Sequence, residues 1–114
     1  MKKSKLNVFQ QASAKNMSED ELQSQVIDSA KKLGWMVYHT HDSRRSQPGF
    51  PDLVLINIRM RKLVIRELKR ETGRVSDNQK LWIHGFNLCG IDIGVWRPLD
   101  LFDGTILTTL RGLS

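Results

Sequence analysis

The chain has 114 residues, with 39% hydrophobic residues, three tryptophans and a formal net charge of +6, so we predict one folded domain rather than a disordered chain. No apolar run approaches the roughly 18 residues that cross a bilayer, and the single cysteine, Cys89, excludes an intrachain disulfide framework or a cysteine-rich zinc site. The pI near 9.8 favours an anionic partner such as nucleic acid or a membrane surface, and the low cysteine content is typical of a reducing, cytoplasmic environment.

The first 17 residues are polar, carry four lysines and no acid, and show little periodicity. They also lack the apolar region of a secretory signal. We therefore expect residues 1–17 to be a flexible basic arm in front of a single domain over residues 18–114. Such an arm is either a solvated tail or a segment that follows phosphates.

The first predicted helix begins at Ser18, because Ser18 and Glu21 have the spacing of a capping box, and it ends at Gly34. Its apolar stripe is formed by Leu22, Val26, Ala30 and Leu33. The cap occupies Glu21. In contrast, Glu19 and Gln23 lie one turn apart at the edge of the stripe, where they can face a sheet, although acids in a first turn also serve the helix dipole alone.

A strand is predicted over residues 35–40, followed by a loop over residues 42–50 that is closed by proline and glycine. His39 and His41 alternate on one face of this strand. They are compatible with a zinc site, with a contact to phosphate or water, or with two ordinary surface histidines. Paired arginines beside hydroxyls suit phosphate oxygens, whereas the alternative is a solvated loop. The loop residues in question are Ser43, Arg44 and Arg45.

Two apolar, β-branched runs over residues 53–58 and 63–65 predict strands buried on both faces, joined by a short basic turn. If the hairpin is centred between Arg59 and Met60, Asp52 lies directly opposite Glu67, with Cβ atoms about 5 Å apart. Two carboxylates this close repel each other unless a cation or a proton intervenes.

A divalent metal would remove this repulsion, and a few hard oxygen ligands with room for water and phosphate oxygens suit Mg²⁺. Lys69 lies two residues beyond Glu67 on the same face of the strand, where its ammonium could orient a water or neutralise charge on phosphorus. The alternative is an ordinary hairpin with both carboxylates at its open, solvated end.

Ser76 is predicted to cap a second helix over residues 77–88, with Gln79 completing the capping box. We expect its inward side to carry Leu81, Trp82 and Gly85. Its polar side would carry Lys80 and His84, which could extend the basic surface.

A fourth strand over residues 91–96, parallel to a neighbour, ends at Pro98, and residues 99–113 predict a short closing helix or a partner surface. The resulting element order, α-β-β-β-α-β, predicts an α/β fold with a small mixed sheet flanked by helices.

Pro51-Asp52 followed by Glu67-x-Lys69 after a hairpin resembles the PD-(D/E)xK nuclease signature. The longer string over residues 42–53, together with Glu67-Leu68-Lys69 and Gln79, resembles the VRR-NUC domain in its stand-alone, phage-type form. The resemblance covers about residues 18–98 and implies a restriction-endonuclease-like core.

The resemblance also implies a DNA endonuclease that depends on Mg²⁺ or Mn²⁺ as Lewis acid. Asp52, Glu67 and the Leu68 backbone carbonyl would hold the metal, and the family places an acid on the first helix, for which we favour Glu19. Lys69 would activate or orient the attacking water. Gln79 would support the site, and the three loop residues, chiefly the two arginines, would grip the DNA backbone. The implied substrate is branched DNA (Holliday-junction-like, fork or flap), cut by a homodimer.

Three alternatives remain open. The chain could be a DNA-binding module that does not cleave, in which the carboxylates are incidental. It could be a nickase or exonuclease without sequence preference. It could also be a protein-interaction subunit that uses residues 99–113.

Overall fold

Four strands form one mixed sheet in the computed structural model, which describes residues 6–40 and 47–113. Within these ranges the elements are α1 (Val8–Asn16), α2 (Glu19–Lys32), β1 (Met36–His39), β2 (Leu53–Asn57), β3 (Lys62–Leu68), α3 (Asp77–Leu88), β4 (Asp92–Trp96), α4 (Pro98–Phe102) and α5 (Thr105–Leu110). The strand order is β1-β2-β3-β4, with β4 parallel to β3 and the other pairs antiparallel. The predicted α/β class and mixed sheet are confirmed.

The register of the β2–β3 hairpin matches the predicted one. Leu53 pairs with Arg66, and each later pair follows the same register toward the turn. Continuing this register one position away from the turn brings Asp52 opposite Glu67. The hairpin therefore sets the spacing of the two carboxylates.

One face of the sheet packs against α2 and α5 to form the core. Leu53, Leu55 and Val64 from the sheet meet Val26 of α2 and Leu110 of α5 in one buried cluster. Residues 99–113, predicted as a closing helix or a partner surface, form parts of α4 and α5 and close this core.

Helix α2 begins as predicted, with Ser18 and Glu21 forming a reciprocal capping box. Leu22, Val26 and Ala30 are buried, but Leu33 is 38% exposed, so its assignment to the buried stripe is wrong. Leu33 is the C-cap residue, and there the backbone has already left the helical path that would turn its side chain toward the sheet.

The other face of the sheet is only partly covered, which corrects the prediction that both hairpin strands are buried on both faces. β3 is buried along most of its length, but the side chain of Ile56 in β2 is 38% exposed. Helix α3 contacts β4 on one side of the sheet, and Met36 and Tyr38 on β1 remain exposed. The strands nearest β1 therefore have one open face.

The expectation of an irregular arm over residues 1–17 is wrong for Val8–Asn16, which forms helix α1. Asn7 and Gln10 make a reciprocal capping box at its start. The helix packs against α4 and buries Ala14. A cap and a short apolar contact are sufficient here because α4 supplies the packing surface.

Helix α3 starts and ends where predicted, but its inward side differs. Leu81 is 69% exposed and Gly85 is also exposed, so both were wrongly assigned to the interior. Trp82 lies on the inward side as predicted and is half-buried, as is Phe86, and Phe50 packs edge-on against both rings. Within the described ranges, none of the helices is long and apolar enough to cross a membrane.

Candidate active site

Asp52 and Glu67 lie side by side at the end of the hairpin away from its turn. Asp52 immediately precedes β2, and Glu67 is the penultimate residue of β3. The backbone N–H of Leu68 donates a hydrogen bond of 2.7 Å to Asp52 Oδ2. This bond fixes the aspartate against β3, so the carboxylate pair expected from the sequence is present in the fold.

Glu67 is buried, with 2% of its surface exposed. Burial raises the pKa of Glu67 to about 8, and the charge of Asp52 and a hydrogen bond with the Asp52 carboxyl add to the rise. The charge of Glu19 acts in the same direction, whereas Lys69 lowers the value. At neutral pH the pair therefore holds a proton in the metal-free protein.

Apart from the carboxyl–carboxyl contact with Asp52, one oxygen of this group, Glu67 Oε1, is buried and has no hydrogen-bond partner within residues 6–40 and 47–113. The other oxygen, Oε2, accepts a hydrogen bond of 2.6 Å from Gln79 Nε2. A buried acceptor without a partner costs about 1–3 kcal/mol. Glu67 therefore has one satisfied oxygen and one that remains available to a ligand.

Gln79 completes the capping box of α3 and also contacts Glu67. Its backbone N–H donates to Ser76 Oγ, and its Oε1 accepts from the Ser76 backbone N–H at 2.8 Å, which completes the capping box of α3. This contact leaves the Nε2 group as the free end of the amide, and Nε2 donates to Glu67. The start of α3 is thereby tied to the carboxylate pair.

The Lys69 ammonium lies 3.7 Å from Glu67 Oε2, and its side chain is 12% exposed. At this distance it is an ion pair without a tight hydrogen bond. The backbone of the following turn packs against the lysine stem, since a Cβ at Gly73 would lie 3.4 Å from Lys69 Cδ. The ammonium is therefore held beside the Glu67 carboxyl.

A cavity of about 320 Å³ is lined by Asp52, Leu68 and Gln79, whereas the buried Glu67 is not part of its wall. Both Glu19 and Gln23 of α2 line it, as expected from their position on the helix, while Glu21 serves the cap of α2. His39 lines it as well. Other lining residues, not singled out from the sequence, are Asp20, Thr40 and Gln47.

The segment just before Asp52 is held against α3. Gly49 has φ of +88°, and a Cβ there would lie 2.5 Å from the backbone carbon of Asn78, so only glycine fits. The indole N–H of Trp82 donates to the Pro48 carbonyl at 3.1 Å. Helix α3 thus holds both the segment leading to Asp52 and, through its first turn, Glu67.

Three of the predicted DNA contacts, Ser43, Arg44 and Arg45, lie outside the described residues, as does His41. Lys80 is exposed on α3, one residue after Gln79, as expected for the polar side of that helix. The positions of the phosphate-binding arginines thus stay a prediction.

The residues present fit a divalent metal. The buried Glu67 Oε1 lacks a donor, and an adjacent carboxylate raises the cost of ionising Glu67. Leu68 lines the cavity, although the residue as a whole is almost fully buried. Among the described residues no three His, Cys, Asp or Glu side chains converge into a metal-binding group. Any ion would depend on the two carboxylates together with backbone or more distant oxygens.

The four-stranded mixed sheet flanked by helices, with acids and a lysine at one end, is a restriction-endonuclease-like fold. A solved structure described as a VRR_NUC domain superposes with a TM-score of 0.65 at 22% identity, covering 78% of this chain and 94% of that one. Residues 2–98 match the model of the VRR-NUC domain, and the chain belongs to this family.

A curated relative gives a second comparison. The Fanconi-associated nuclease 1 homolog of Schizosaccharomyces pombe is 36% identical over 56 residues, which is 49% of this chain. The aligned region is only 8% of that protein. The similarity therefore concerns one domain of a much larger nuclease.

Proposed function

We propose that this VRR-NUC nuclease domain is a metal-dependent DNA endonuclease that acts on branched DNA. The observation that carries the proposal is the buried Glu67 carboxyl beside Asp52, with one oxygen lacking a partner. Such a pair is costly for a domain that only binds DNA, because burying the Glu67 carboxyl beside Asp52 costs free energy and the negative charge left on the pair repels phosphate. A catalytic role for the pair accounts for that cost.

Asp52, Glu67 and the Leu68 backbone carbonyl would hold Mg²⁺ or Mn²⁺, with Glu19 as an additional acid on the cavity wall. Hard oxygen ligands of this kind suit both ions. When bound, a divalent ion supplies Lewis-acid stabilisation of the charge that develops on the phosphate oxygens.

The remaining roles belong to the chain itself. Gln79 would hold Glu67 in position through its 2.6 Å hydrogen bond to Oε2. Lys69, 3.7 Å from the Glu67 carboxyl, would orient the attacking water or neutralise charge that develops on the phosphate. Arg44 and Arg45 would hold the DNA backbone next to the cavity, because their loop leads directly to Asp52.

The choice of branched DNA, and of a homodimer that cuts opposed strands, comes from the family and not from the geometry of the carboxylate pair. It follows from the resemblance to stand-alone VRR-NUC domains and agrees with the similarity to a Fanconi-associated nuclease. Two active sites are needed for paired cuts in a four-way junction, which a single domain of this size does not contain.

The experiment is to incubate the purified protein with fork, flap, four-way-junction and linear DNAs of matched sequence, in EDTA, Mg²⁺ or Mn²⁺. We expect cleavage only with a metal and faster cleavage of the branched DNAs. Equal cleavage rates on linear and branched DNA would refute the preference for branched DNA. The protein would then be a nuclease that does not distinguish DNA structures. Binding without cleavage under every condition would favour the non-cleaving module.

A further inference from the structure

The end of the sheet opposite the carboxylates brings three chain segments together. The amide of Asn57 connects two of them, since its Nδ2 donates to the Leu33 carbonyl at 3.5 Å and its Oδ1 accepts from the Met60 N–H at 3.0 Å. Lys62 Nζ connects the third by donating to the Gly112 carbonyl at 3.2 Å. The hairpin turn therefore lies against the C-terminal ends of α2 and α5.

This end of the molecule is strongly basic. Its cationic side chains, here called the basic end, are Lys31, Lys32, Arg59, Arg61, Lys62 and Arg111. Two acidic residues near these cations in the sequence, Asp28 and Asp92, already form ion pairs. Asp28 pairs with Lys32 at 3.0 Å, and Asp92 pairs with Arg66 at 2.8 Å. Within residues 6–40 and 47–113, Lys32 is therefore the one member of the basic end with an ion pair, and the other five cationic side chains have none.

Part of this charge has a structural explanation. Lys31 and Lys32 lie in the last turn of α2, where cations interact favourably with the helix dipole, and Arg111 is the C-cap of α5. Arg59 and Arg61 lie in the hairpin turn, so the dipole does not explain them. Both are exposed, and neither side chain has a hydrogen bond or ion pair within the described part of the chain.

The backbone conformation of Arg61 is unusual for a residue with a side chain. Its φ is +55°, and every other described residue with positive φ is a glycine. An L-residue in this region is strained, whereas glycine adopts it freely. The sequence keeps an arginine where glycine would fit the turn better, which indicates that the side chain itself is used. A shallow depression beside it is lined by Arg59, Asn57 and Arg111.

We propose that the basic end is a second binding surface for a nucleic-acid backbone, separate from the site of cleavage. The proposal rests on the proposed nuclease function. β3 carries Lys62 and Glu67 five positions apart, which corresponds to about 17 Å of extended strand. At about 3.4 Å per base pair, this is roughly five base pairs of duplex. The basic end therefore contacts DNA remote from the cut phosphate, such as a second arm of a branched substrate.

The test measures DNA binding by fluorescence anisotropy in EDTA, with a four-way junction over a range of salt concentrations. Arg59→Ala with Arg61→Gly should weaken binding by roughly tenfold and reduce the salt slope by about 2, as expected for two lost phosphate contacts. Arg59→Lys keeps the charge and should retain most of the affinity. Lys15→Ala removes one exposed charge on α1 and should change the slope by less than Arg59→Ala does.

Arg61→Gly alone separates a binding role from a structural one. Glycine relieves the positive φ, so this variant should melt at the same or a higher temperature than the wild type while binding the junction more weakly. Its single-turnover cleavage rate at saturating DNA should stay unchanged, because the basic end does not touch the reacting phosphate. Unaltered affinity and salt slope in Arg61→Gly and in the double variant would overturn the proposal.

Two further outcomes distinguish the inference from its foundation. Binding in EDTA can be measured without cleavage. If the wild type never cuts DNA but the arginine variants bind it more weakly, the nuclease proposal is refuted and the second binding surface is supported. If the wild type cuts DNA and the arginine variants bind it with unchanged affinity, the nuclease proposal is supported and the second binding surface is refuted. Binding to anionic phospholipid vesicles that depends on both arginines, with none to DNA, would assign the surface to a membrane and overturn the proposal.

Discussion

The raised pKa of Glu67 predicts an unusual pH dependence of stability in the metal-free protein. The group has a model value of 4.5 and reaches about 8 in the fold, mainly because it is buried and lies beside Asp52. A folded-state pKa above the unfolded value means that the native state binds the proton more tightly. The associated stability is fully present below about pH 4.5 and is lost as the pH rises through about 8.

The size of this loss follows from the shift. Each unit of pKa corresponds to about 1.4 kcal/mol, so a rise from 4.5 to about 8 gives an upper limit on the order of 5 kcal/mol. This limit is reached only if the site does not rearrange when Glu67 ionises. Even half of it is a large fraction of the stability of a domain of this size.

The assay is urea denaturation in EDTA at several pH values between 4.5 and 9, for the wild type and Glu67→Gln. The amide can still accept from Gln79 but cannot ionise, so the variant should lack most of the decline seen in the wild type. Asp28→Asn, which alters an exposed carboxylate, should keep the wild-type profile. Identical profiles for the wild type and Glu67→Gln would refute the reasoning.

Three further predictions concern residues around the pair. Gln79→Ala should lower turnover by about 10–100-fold by releasing Glu67, whereas Ser76→Ala, which removes only the cap, should cost about 1 kcal/mol of stability and leave turnover intact. Lys69→Ala should lower single-turnover cleavage by roughly 10²-fold with nearly unchanged Mn²⁺ affinity by calorimetry. Tighter Mn²⁺ binding by this variant would instead indicate that Lys69 serves to balance the charge of Asp52 and Glu67. Gly49→Ala should destabilise the fold by about 2 kcal/mol or more in urea denaturation, because its Cβ would lie 2.5 Å from backbone, while Gly85→Ala, with open space around it, should not. Equal effects of the two glycine changes would contradict the close approach.

The features predicted correctly from the sequence are those set by local chemistry. The capping boxes at Ser18 and Ser76 depend on spacings of three residues, and both are present. The hairpin register depends on a short turn, and it brought Asp52 and Glu67 together as expected. These features need no knowledge of distant parts of the chain.

The errors concern surfaces that depend on distant packing. Leu81 is apolar and suits the buried side of a helix. The orientation of α3 instead follows from Trp82, which packs on Phe50 and donates a hydrogen bond to the Pro48 carbonyl. The outer face of β2 is apolar in sequence yet partly open, because α3 packs over β4. Neither arrangement can be obtained from periodicity alone.

The N-terminal helix and the support of the site were missed for different reasons. Asn7 and Gln10 have the capping-box spacing, so the start of α1 was detectable, although its weak apolar stripe hid the helix. The close approach of Gly49 to α3 had no clear signal beyond a proline–glycine pair typical of a loop. The contact joins segments about 30 residues apart, and it follows from the fold.

The most direct test of the central claim is single-turnover cleavage of a four-way junction in Mg²⁺ by Asp52→Asn, beside the wild type and Asp28→Asn. The account predicts that Asp52→Asn binds the junction as tightly as the wild type or more tightly, since it loses a negative charge near phosphate, and that it does not cleave. Asp28→Asn should cleave at the wild-type rate, because its carboxylate is exposed on the opposite side of α2 from the buried stripe. Wild-type cleavage by Asp52→Asn would contradict the assignment of the carboxylate pair as the catalytic centre.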